Sequence, residues 1–250
     1  MKCLTVSIVI SLMFAGLSYG KIDEGSIIGM WLFDEGEGDV VEDSSGNRND
    51  GTLINGPKWV EGRFGEALEF SGAGDYVDTT LNTNNLSSPI TISLWMNAAQ
   101  VKKSPLVSGY NNANPNANRW DIQLNRDGAC KIRWVEHEGR DGAISSTTIE
   151  AGTWYHVAVI HDLPNSESMI FVNGVLENTA PIQQDLKTGR VVQFADGDGD
   201  TYGGIIDEVA IFSVALSEDD IIDIMNNGLG GMLAVFDKGK LATTWANIKK

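Results

Sequence analysis

The segment IIDEVAIF, residues 205–212, decides the fold, because it has the pattern of a buried β-strand whose only charges, Asp207 and Glu208, are adjacent. A second segment, DSSGNRNDG at residues 43–51, has the pattern of a polar, turn-rich loop with many oxygen ligands. A strand carboxylate that faces such a loop suits a hard cation such as Ca²⁺. We therefore expect the two segments to join the start of a β domain to its end.

The composition limits the classes of partner. The chain has 250 residues, of which 42% are hydrophobic and 21% charged, so it can bury the core of a single large β domain. Asp and Glu number 34 against 18 Lys and Arg, which gives a formal net charge of −16. Such a surface repels nucleic acids and anionic membranes. It is compatible with neutral glycans, basic proteins or divalent cations.

Residues 1–20 have the pattern of a secretory signal peptide. Lys2 precedes an apolar stretch at residues 4–17, and the small residues Ser18 and Gly20 stand at the positions that a signal peptidase reads. The stretch is short for a membrane span. We therefore predict a secreted protein, extracellular or kept at the cell envelope, with no membrane insertion after the signal is removed.

After the signal, short β-rich runs are separated by clusters of Gly, Asn, Asp and Pro, which is typical of an antiparallel all-β domain. The run at residues 90–97 alternates, so that every second side chain shares one face. The dipeptide Asn173-Gly174 predicts a tight hairpin turn. The predicted strands are residues 26–33, 66–70, 76–80, 90–97, 105–110, 119–125, 130–135, 143–149, 153–161, 168–172, 175–176, 191–194 and 204–212.

One short helix is predicted near the C-terminus. Ser217 is a good N-cap, Asp220 occupies the capping-box position, and Asn226-Asn-Gly228 ends the helix. Residues 229–250 follow as a tail that is either disordered or a docking segment. The predicted organisation is a signal peptide at residues 1–20, a domain at residues 21–228 and a tail at residues 229–250.

A series of motifs between residues 27 and 227 resembles the bacterial laminin-G-like (LamG) jelly-roll domains of the concanavalin A-like lectin/glucanase superfamily. The resemblance implies a two-sheet antiparallel jelly-roll sandwich and a binding or adhesion module that usually carries structural Ca²⁺. Many extracellular relatives carry a disulfide, whereas Cys130 is alone once the signal is removed. The motifs are WLFDEGEG at 31–38, DSSG at 43–46 with Asn47, Asn49 and Gly51, ALEF at 67–70 before DYV at 75–77, ISLW at 92–95, WYHVA at 154–158 with NG at 173–174, and IDEV at 206–209 before LS at 216–217.

By that resemblance, the candidate metal ligands are Asp43, Asn47, Asn49 and Asp207, with calcium as a structural cofactor. The alternative is that Asp43 closes an Asx-turn and that Asp207 accepts hydrogen bonds from the backbone. The acidic run at residues 196–200 lacks the Gly and Glu that an EF-hand loop needs at its sixth and twelfth positions, so we predict a solvated loop there.

The candidate ligand-binding region is the Asn-rich segment from Tyr110 to Trp120, in which Asn112 and Asn118 lie near the two aromatic residues. Sugar rings stack on Trp and Tyr, and neighbouring Asn side chains bind the hydroxyl groups. The alternative is a flexible solvent loop with Trp120 buried. Three other tryptophans lie in apolar strands and are predicted to be core residues: Trp31, Trp95 and Trp154.

We predict a non-catalytic binding or adhesion module for carbohydrate or for a cell-surface glycoprotein. One rival is a glycoside-acting enzyme, which needs two carboxylates on one wall of a cleft. Glu136 and Glu138 alternate around His137, but a turn follows at once, and two exposed acids at a strand end also explain the pattern. The other rival is a structural surface protein whose partner is another protein.

Overall fold

The computed structural model describes residues 22–109, 119–136, 140–182, 184–197 and 199–248, with the backbone alone for residues 234–248. The predicted signal peptide lies outside these residues. Short 3₁₀ turns at Glu24–Ser26 and Thr83–Asn85 and the helix α1 (Glu218–Ile248) accompany the strands. The strands are β1 (Ile27–Trp31), β2 (Val40–Val41), β3 (Gly51–Ile54), β4 (Lys58–Glu61), β5 (Glu66–Ser71), β6 (Tyr76–Asn82), β7 (Ile90–Ala98), β8 (Ser104–Ser108), β9 (Asp121–Leu124), β10 (Ile132–Glu136), β11 (Arg140–Ile144), β12 (Trp154–Asp162), β13 (Glu167–Val172), β14 (Val175–Pro181), β15 (Val191–Phe194), β16 (Asp196–Gly197), β17 (Asp200–Thr201) and β18 (Gly203–Phe212).

The described strands form two large antiparallel sheets, which confirms the predicted all-β sandwich. The first sheet has the order β14-β13-β12-β7-β18-β5-β4, and β1 also pairs with β18. The second sheet has the order β11-β10-β9-β8-β15-β6-β3-β2. The acidic run at residues 196–200, predicted to be a loop, forms the small hairpin of β16 and β17.

The main core fills the space between the two sheets. In β7, the alternation puts Ile92, Leu94 and Met96 on the inner face, where each is fully buried. Trp134 and Phe194 come from the second sheet into the same cluster. Burying a large apolar side chain contributes about 1.5–3 kcal/mol relative to leaving it in water, so this cluster is the main source of stability.

A second, smaller core lies between the outer face of the first sheet and α1. Ile160 of β12 and Phe212 of β18 pack there against Ile221 and Ile224 of the helix. This explains why β12 and β18 are buried on both faces along most of their length. The predicted helix start is confirmed, because Ser217 Oγ donates to Asp220 Oδ2 over 2.6 Å while Asp220 N donates to Ser217 Oγ over 3.2 Å.

The helix is longer than predicted. Its backbone leaves helical geometry at Gly228, with φ 69° and ψ 168°, within the predicted stop, but the helix resumes and continues to Ile248. Leu229 and Met232, in the predicted tail, are buried in the second core. In the part of the chain that the structure describes, no helix is both long and apolar enough to span a membrane.

The sequence pattern missed the strands β2, β3 and β4. β2 has two residues, and β4 is an edge strand with exposed ends and no fully buried residue, so no clear alternation marks either strand. Elsewhere the predicted and observed strands overlap but differ at their ends. The predicted strand at residues 143–149 is β11, which begins earlier, and β14 extends well beyond the predicted residues 175–176.

The strand β18 changes partner half-way along. On one side it pairs with β7. On the other side, residues 203–206 pair with β5 and residues 209–212 pair with β1. The change falls at Asp207 and Glu208, where the register against β7 also shifts in a bulge. The two adjacent acidic residues of the sequence therefore lie where the partner of β18 changes from β5 to β1, opposite β7.

The break at Gly228 predicts opposite effects for two glycines of α1. A Cβ on Gly228 would lie 3.1 Å from Glu208 Oε2 and from the Phe64 ring, and the backbone region at this residue is almost exclusive to glycine. We expect Gly228→Ala to lower the free energy of unfolding by about 1–3 kcal/mol. A Cβ on Gly230 meets nothing within 4 Å, so Gly230→Ala is the matched control.

Gly230→Ala is expected to raise the free energy of unfolding by about 0.5–1 kcal/mol, because alanine loses less backbone entropy than glycine in a helix. Chemical denaturation of both variants checks the pair. Equal effects of the two substitutions would contradict the described break.

Candidate functional site

Asp207 fixes the loop between β4 and β5. Its Oδ2 accepts hydrogen bonds from the backbone N–H groups of Arg63, over 2.7 Å, and Phe64, over 3.0 Å. The side chain is fully buried, and its Oδ1 has no hydrogen-bond partner among the described residues. The carboxylate therefore holds the loop at the place where β5 ends and β1 begins along β18.

Glu208 performs a similar role for α1. It has a positive φ of 55° in the bulge, and its Oε2 accepts a hydrogen bond from the backbone N–H of Leu229, next to the helix break.

Burial raises the pKa of Asp207 to about 7, and the negative charge of Asp34 adds to this, while the N–H groups of Phe64 and Arg63 act against it. Burial likewise raises the pKa of Glu208 to about 8, with further contributions from Asp207 and Asp34.

A groove opens beside this junction, on the part of the first sheet that α1 leaves uncovered. It has a volume of about 340 Å³ and lies between the β4–β5 loop, the outer face of β7 and β12, the β13–β14 turn and the region of α1 just before its break. We call it the Trp95–Trp154 groove. Its lining residues are Arg63, Trp95, Trp154, Asn173, Met225 and Asn226.

The aromatic rings of the groove are packed edge to face. The ring centroids of Trp95 and Trp154 are 6.4 Å apart at an interplanar angle of 81°, and Phe64 approaches Trp95 from another side at 6.3 Å. The Arg63 guanidinium lies 4.8 Å from the centroid of Trp95, which is a cation–π contact. Trp95 is almost fully buried, whereas Trp154 is half-buried and Arg63 is exposed. Trp154 and Arg63 are therefore accessible from solvent.

His156 lies beneath Trp95. Their rings are 5.3 Å apart, and His156 Nε2 is 2.9 Å from Ser93 Oγ. Burial lowers the pKa of His156 to about 3, so the imidazole is neutral at physiological pH. The imidazole packed against Trp95 is therefore uncharged, and Arg63 is the charged residue among those that line the groove.

The prediction that three tryptophans are core residues is correct for Trp31. It is wrong for Trp154, whose side chain is only half-buried. Trp31 is fully buried between the sheets. Trp95 and Trp154 lie on the outer face of the first sheet, because Leu94 and Tyr155 occupy the inner face next to them. The alternation at residues 90–97 contained this information, since it assigns Trp95 and Ile92 to opposite faces.

The predicted ligand-binding segment is only partly described. Tyr110, Asn112 and Asn118 lie outside the described residues. Trp120 is in the main core, 1% exposed, where its indole N–H donates to the carbonyl of Leu186 over 3.0 Å and its ring stacks on Trp134. The prediction of Trp120 as a sugar platform is therefore wrong, because both faces of the ring are taken by the core.

The predicted calcium ligand Asp43 has its hydrogen-bond partners in the backbone. Both carboxylate oxygens of Asp43 accept backbone N–H groups, from Met30, Ser45 and Asn49, over 2.9–3.0 Å. None of these partners is shared with Asp207. No group of three or more His, Cys, Asp or Glu among the described residues is arranged to hold a metal ion. Calcium stays a prediction from resemblance, and the function proposed below does not depend on it.

The side-chain amides of the same loop bind the first strand instead. Asn47 Nδ2 donates to the carbonyl of Ile27 over 2.8 Å, and Asn49 Nδ2 donates to the carbonyl of Ile28 over 2.8 Å. Together with the bond from Met30 N to Asp43, these contacts attach the loop to β1. The hydrogen bond from Ser45 N to Asp43 Oδ1 is the one that an Asx-turn at Asp43 requires, so the contacts of Asp43 agree with the Asx-turn alternative.

The carboxylate proposed for an enzyme lies inside the sandwich. Glu136 is 6% exposed, accepts a hydrogen bond from Trp134 Nε1 over 3.2 Å and lies 3.6 Å from His161 Nδ1. Burial lowers the pKa of His161 to about 4, so this imidazole is neutral at physiological pH. Glu138 and His137 lie outside the described residues. Glu136 is thus neither an exposed acid nor on the wall of the Trp95–Trp154 groove.

A second groove, of about 470 Å³, is lined in part by residues of β4 and β5. Lys58, Glu69 and Asp75 are among its lining residues, and Phe70 is its one aromatic contributor. Asp75 already accepts hydrogen bonds from Ser71 N over 2.6 Å and Ser71 Oγ over 2.7 Å, and Phe70 is buried. This groove offers no open aromatic face, so the Trp95–Trp154 groove is the better candidate site.

The raised pKa of Glu208 predicts a stability that falls with rising pH. Between the ordinary carboxyl value of 4.5 and the folded value of about 8, the folded state keeps a proton that the unfolded state has released. Each such proton lowers the free energy of unfolding by about 1.4 kcal/mol per pH unit within that window. We expect Glu208→Gln to flatten this dependence, because the amide oxygen still accepts the Leu229 N–H without a buried charge.

Thermal unfolding at pH 5 and pH 8 measures the effect. The exposed Glu69 of β5 supplies the matched control, and Glu69→Gln is expected to leave the slope of the melting temperature against pH unchanged. A wild-type slope retained in Glu208→Gln would contradict the assignment.

Comparison with known proteins identifies the domain. A family model, Laminin_G_3 of the concanavalin A-like lectin/glucanases superfamily, matches residues 71–222. The comparison with curated proteins gave no match. Among solved structures, the chain is similar to domain 4 of AbnA, a GH43 extracellular arabinanase from Geobacillus stearothermophilus in complex with arabinotriose, with 19% identity and a TM-score of 0.69. That match covers 80% of this chain and 98% of the other.

Two further solved structures share the fold. The binding domain of Paraclostridial Mosquitocidal Protein 1 has 17% identity and a TM-score of 0.65, and the match covers 81% of this chain and 52% of that domain. Trypanosoma rangeli sialidase in complex with the inhibitor DANA has 15% identity and a TM-score of 0.59, with 80% of this chain and 32% of the sialidase covered. At these identities the likeness shows the fold alone. The family model covers more than half of the sequence, and the chain therefore belongs to the Laminin_G_3 family of the concanavalin A-like lectin/glucanases superfamily.

Proposed function

We propose that the protein is a non-catalytic binding module that holds carbohydrate in the Trp95–Trp154 groove. The observation that carries this proposal is the half-buried indole of Trp154, which lies beside the exposed polar side chains of Arg63, Asn173 and Asn226. Carbohydrate sites combine an aromatic face, on which the C–H face of a sugar ring stacks, with a few fixed polar groups that bind its hydroxyls.

The polar side chains of the groove have free hydrogen-bonding capacity. Asn173 Oδ1 accepts the backbone N–H of His156 over 3.0 Å, and this bond orients the amide so that its NH₂ group is left to donate. Asn226 lies on α1 just before the break, and Glu208 holds the first residue after that break. The Asn173 amide is thus oriented by a hydrogen bond of the fold, which lowers the entropy lost on binding.

Two further observations support binding without catalysis. Glycoside hydrolysis needs two carboxylates that flank the scissile bond. Among the described residues that line the groove there is no Asp or Glu. The fold neighbour from the Geobacillus arabinanase was solved with arabinotriose, which supports carbohydrate as the ligand class. Secretion remains a prediction from the signal-peptide pattern.

The proposal predicts that Trp154→Ala weakens binding of oligosaccharides about tenfold, which corresponds to about 1.4 kcal/mol. Arabinotriose is the first probe, followed by an array of neutral and acidic glycans, with calorimetry on each glycan that binds. Trp154→Phe keeps an aromatic face and is expected to retain part of the affinity.

Trp59 provides the matched control, because it is half-buried on β4 outside the groove and donates its indole N–H to the carbonyl of Gly38. Trp59→Ala is expected to bind as the wild type does, once thermal unfolding has shown that each variant is folded. Wild-type affinity in Trp154→Ala, or a wild-type protein that binds no glycan on the array, would overturn the proposed function.

A further inference from the structure

The one positive charge of the Trp95–Trp154 groove has no carboxylate partner in the described chain. Arg63 is exposed, and its contacts are with the rings of Trp95 and Phe64, at 4.8 and 6.0 Å from the guanidinium carbon to the centroids. In contrast, the buried Arg133 pairs with Asp127 over 2.7 Å and Asp141 over 2.6 Å.

The fold also places Arg63 firmly. Its backbone N–H is bound by the buried carboxylate of Asp207, and its guanidinium carbon lies 4.8 Å from the ring centroid of Trp95, which is itself held by neighbouring rings. A guanidinium in cation–π contact that has no carboxylate partner still offers its N–H groups, which form a planar fork that matches a carboxylate. The arginine is thus preorganised to bind a planar anion at the mouth of the groove.

The remaining lining residues favour the same ligand chemistry. The side-chain oxygen of Asn173 accepts the backbone N–H of His156, and its NH₂ group is left as a donor that suits an anionic ligand. No lining residue among those described is a carboxylate that would repel an anion. A sugar that carries a carboxylate can therefore place its ring on Trp154 while its anionic group accepts from Arg63.

We propose that this groove selects glycans that contain a uronic acid, with Arg63 binding the carboxylate and Trp154 the sugar ring; this inference rests on the proposed carbohydrate function. The net charge of −16 does not prevent it, because charges more than about 8 Å from the ligand are largely screened at physiological ionic strength. Arg63 then decides between acidic and neutral sugars, and Trp154 contributes to the binding of both.

The test compares each acidic oligosaccharide with its neutral counterpart. The probes are trimers of galacturonic, glucuronic and mannuronic acid, each paired with its carboxyl-reduced form, at about 0.15 M salt, where the Debye length is about 8 Å. We expect wild-type protein to prefer at least one acidic trimer about tenfold over its reduced form, the size of one charge-assisted contact. In Arg63→Gln this preference is expected to disappear, while binding of the neutral form stays within about threefold, since the ring contact with Trp154 remains.

Two variants make the result specific. Arg48→Gln removes an exposed arginine of the 43–51 loop and changes the net charge equally, so it is expected to keep the preference. Arg63→Lys keeps the charge but loses the planar fork, and an intermediate preference is expected. Thermal unfolding confirms that each variant is folded.

The outcomes separate the two proposals. If acidic and neutral trimers bind equally to the wild type and Trp154→Ala weakens both, the uronic acid inference is overturned and the proposed function stands. An acidic preference that survives in Arg63→Gln also overturns the inference. If neither form binds and the glycan array is negative, the proposed function fails, and the inference fails with it.

Discussion

A single carboxylate oxygen organises the centre of this domain. Asp207 Oδ2 receives two backbone N–H groups of the β4–β5 loop at the point where β18 exchanges β5 for β1. Because two strands cannot pair with the same residue along the same edge of β18, the exchange leaves a gap in the ladder, and a buried side chain satisfies backbone groups beside it. The same two bonds place Arg63 over Trp95, so the groove depends on the junction.

The sequence predicted the sheets better than the site. Alternation and turn residues located most strands of both sheets, because those strands bury one face and are bounded by Gly and Asn. The edge strand β4 gave no such pattern, since none of its residues is fully buried. The Trp95–Trp154 groove was not predicted, because it is assembled from a loop, two strands, a hairpin turn and a helix that lie far apart in the chain.

The polar loop at residues 43–51 shows why a motif alone did not define a site. Its Asp and Asn residues have the chemistry of cation ligands, but a carboxylate satisfies backbone N–H groups equally well. In the structure, Asp43 closes its own loop, and the Asn47 and Asn49 amides bind carbonyl groups of β1. β1 pairs only with β18 in the described sheets, so its other edge has no strand partner. The loop covers backbone carbonyl groups on β1 that could otherwise pair with another chain.

The central position of β18 has a consequence for how the chain folds. The strand comes from the last part of the domain, yet β1, β5 and β7 all pair with it, and β1 has no other partner in the described sheets. These pairings join residues that are distant in sequence, which slows folding because long loops must close first. A ribosome therefore releases almost the whole domain before the first sheet can close. Until then, β7 and β5 present open edges, so aggregation of nascent or truncated chains is the hazard inherent in this topology.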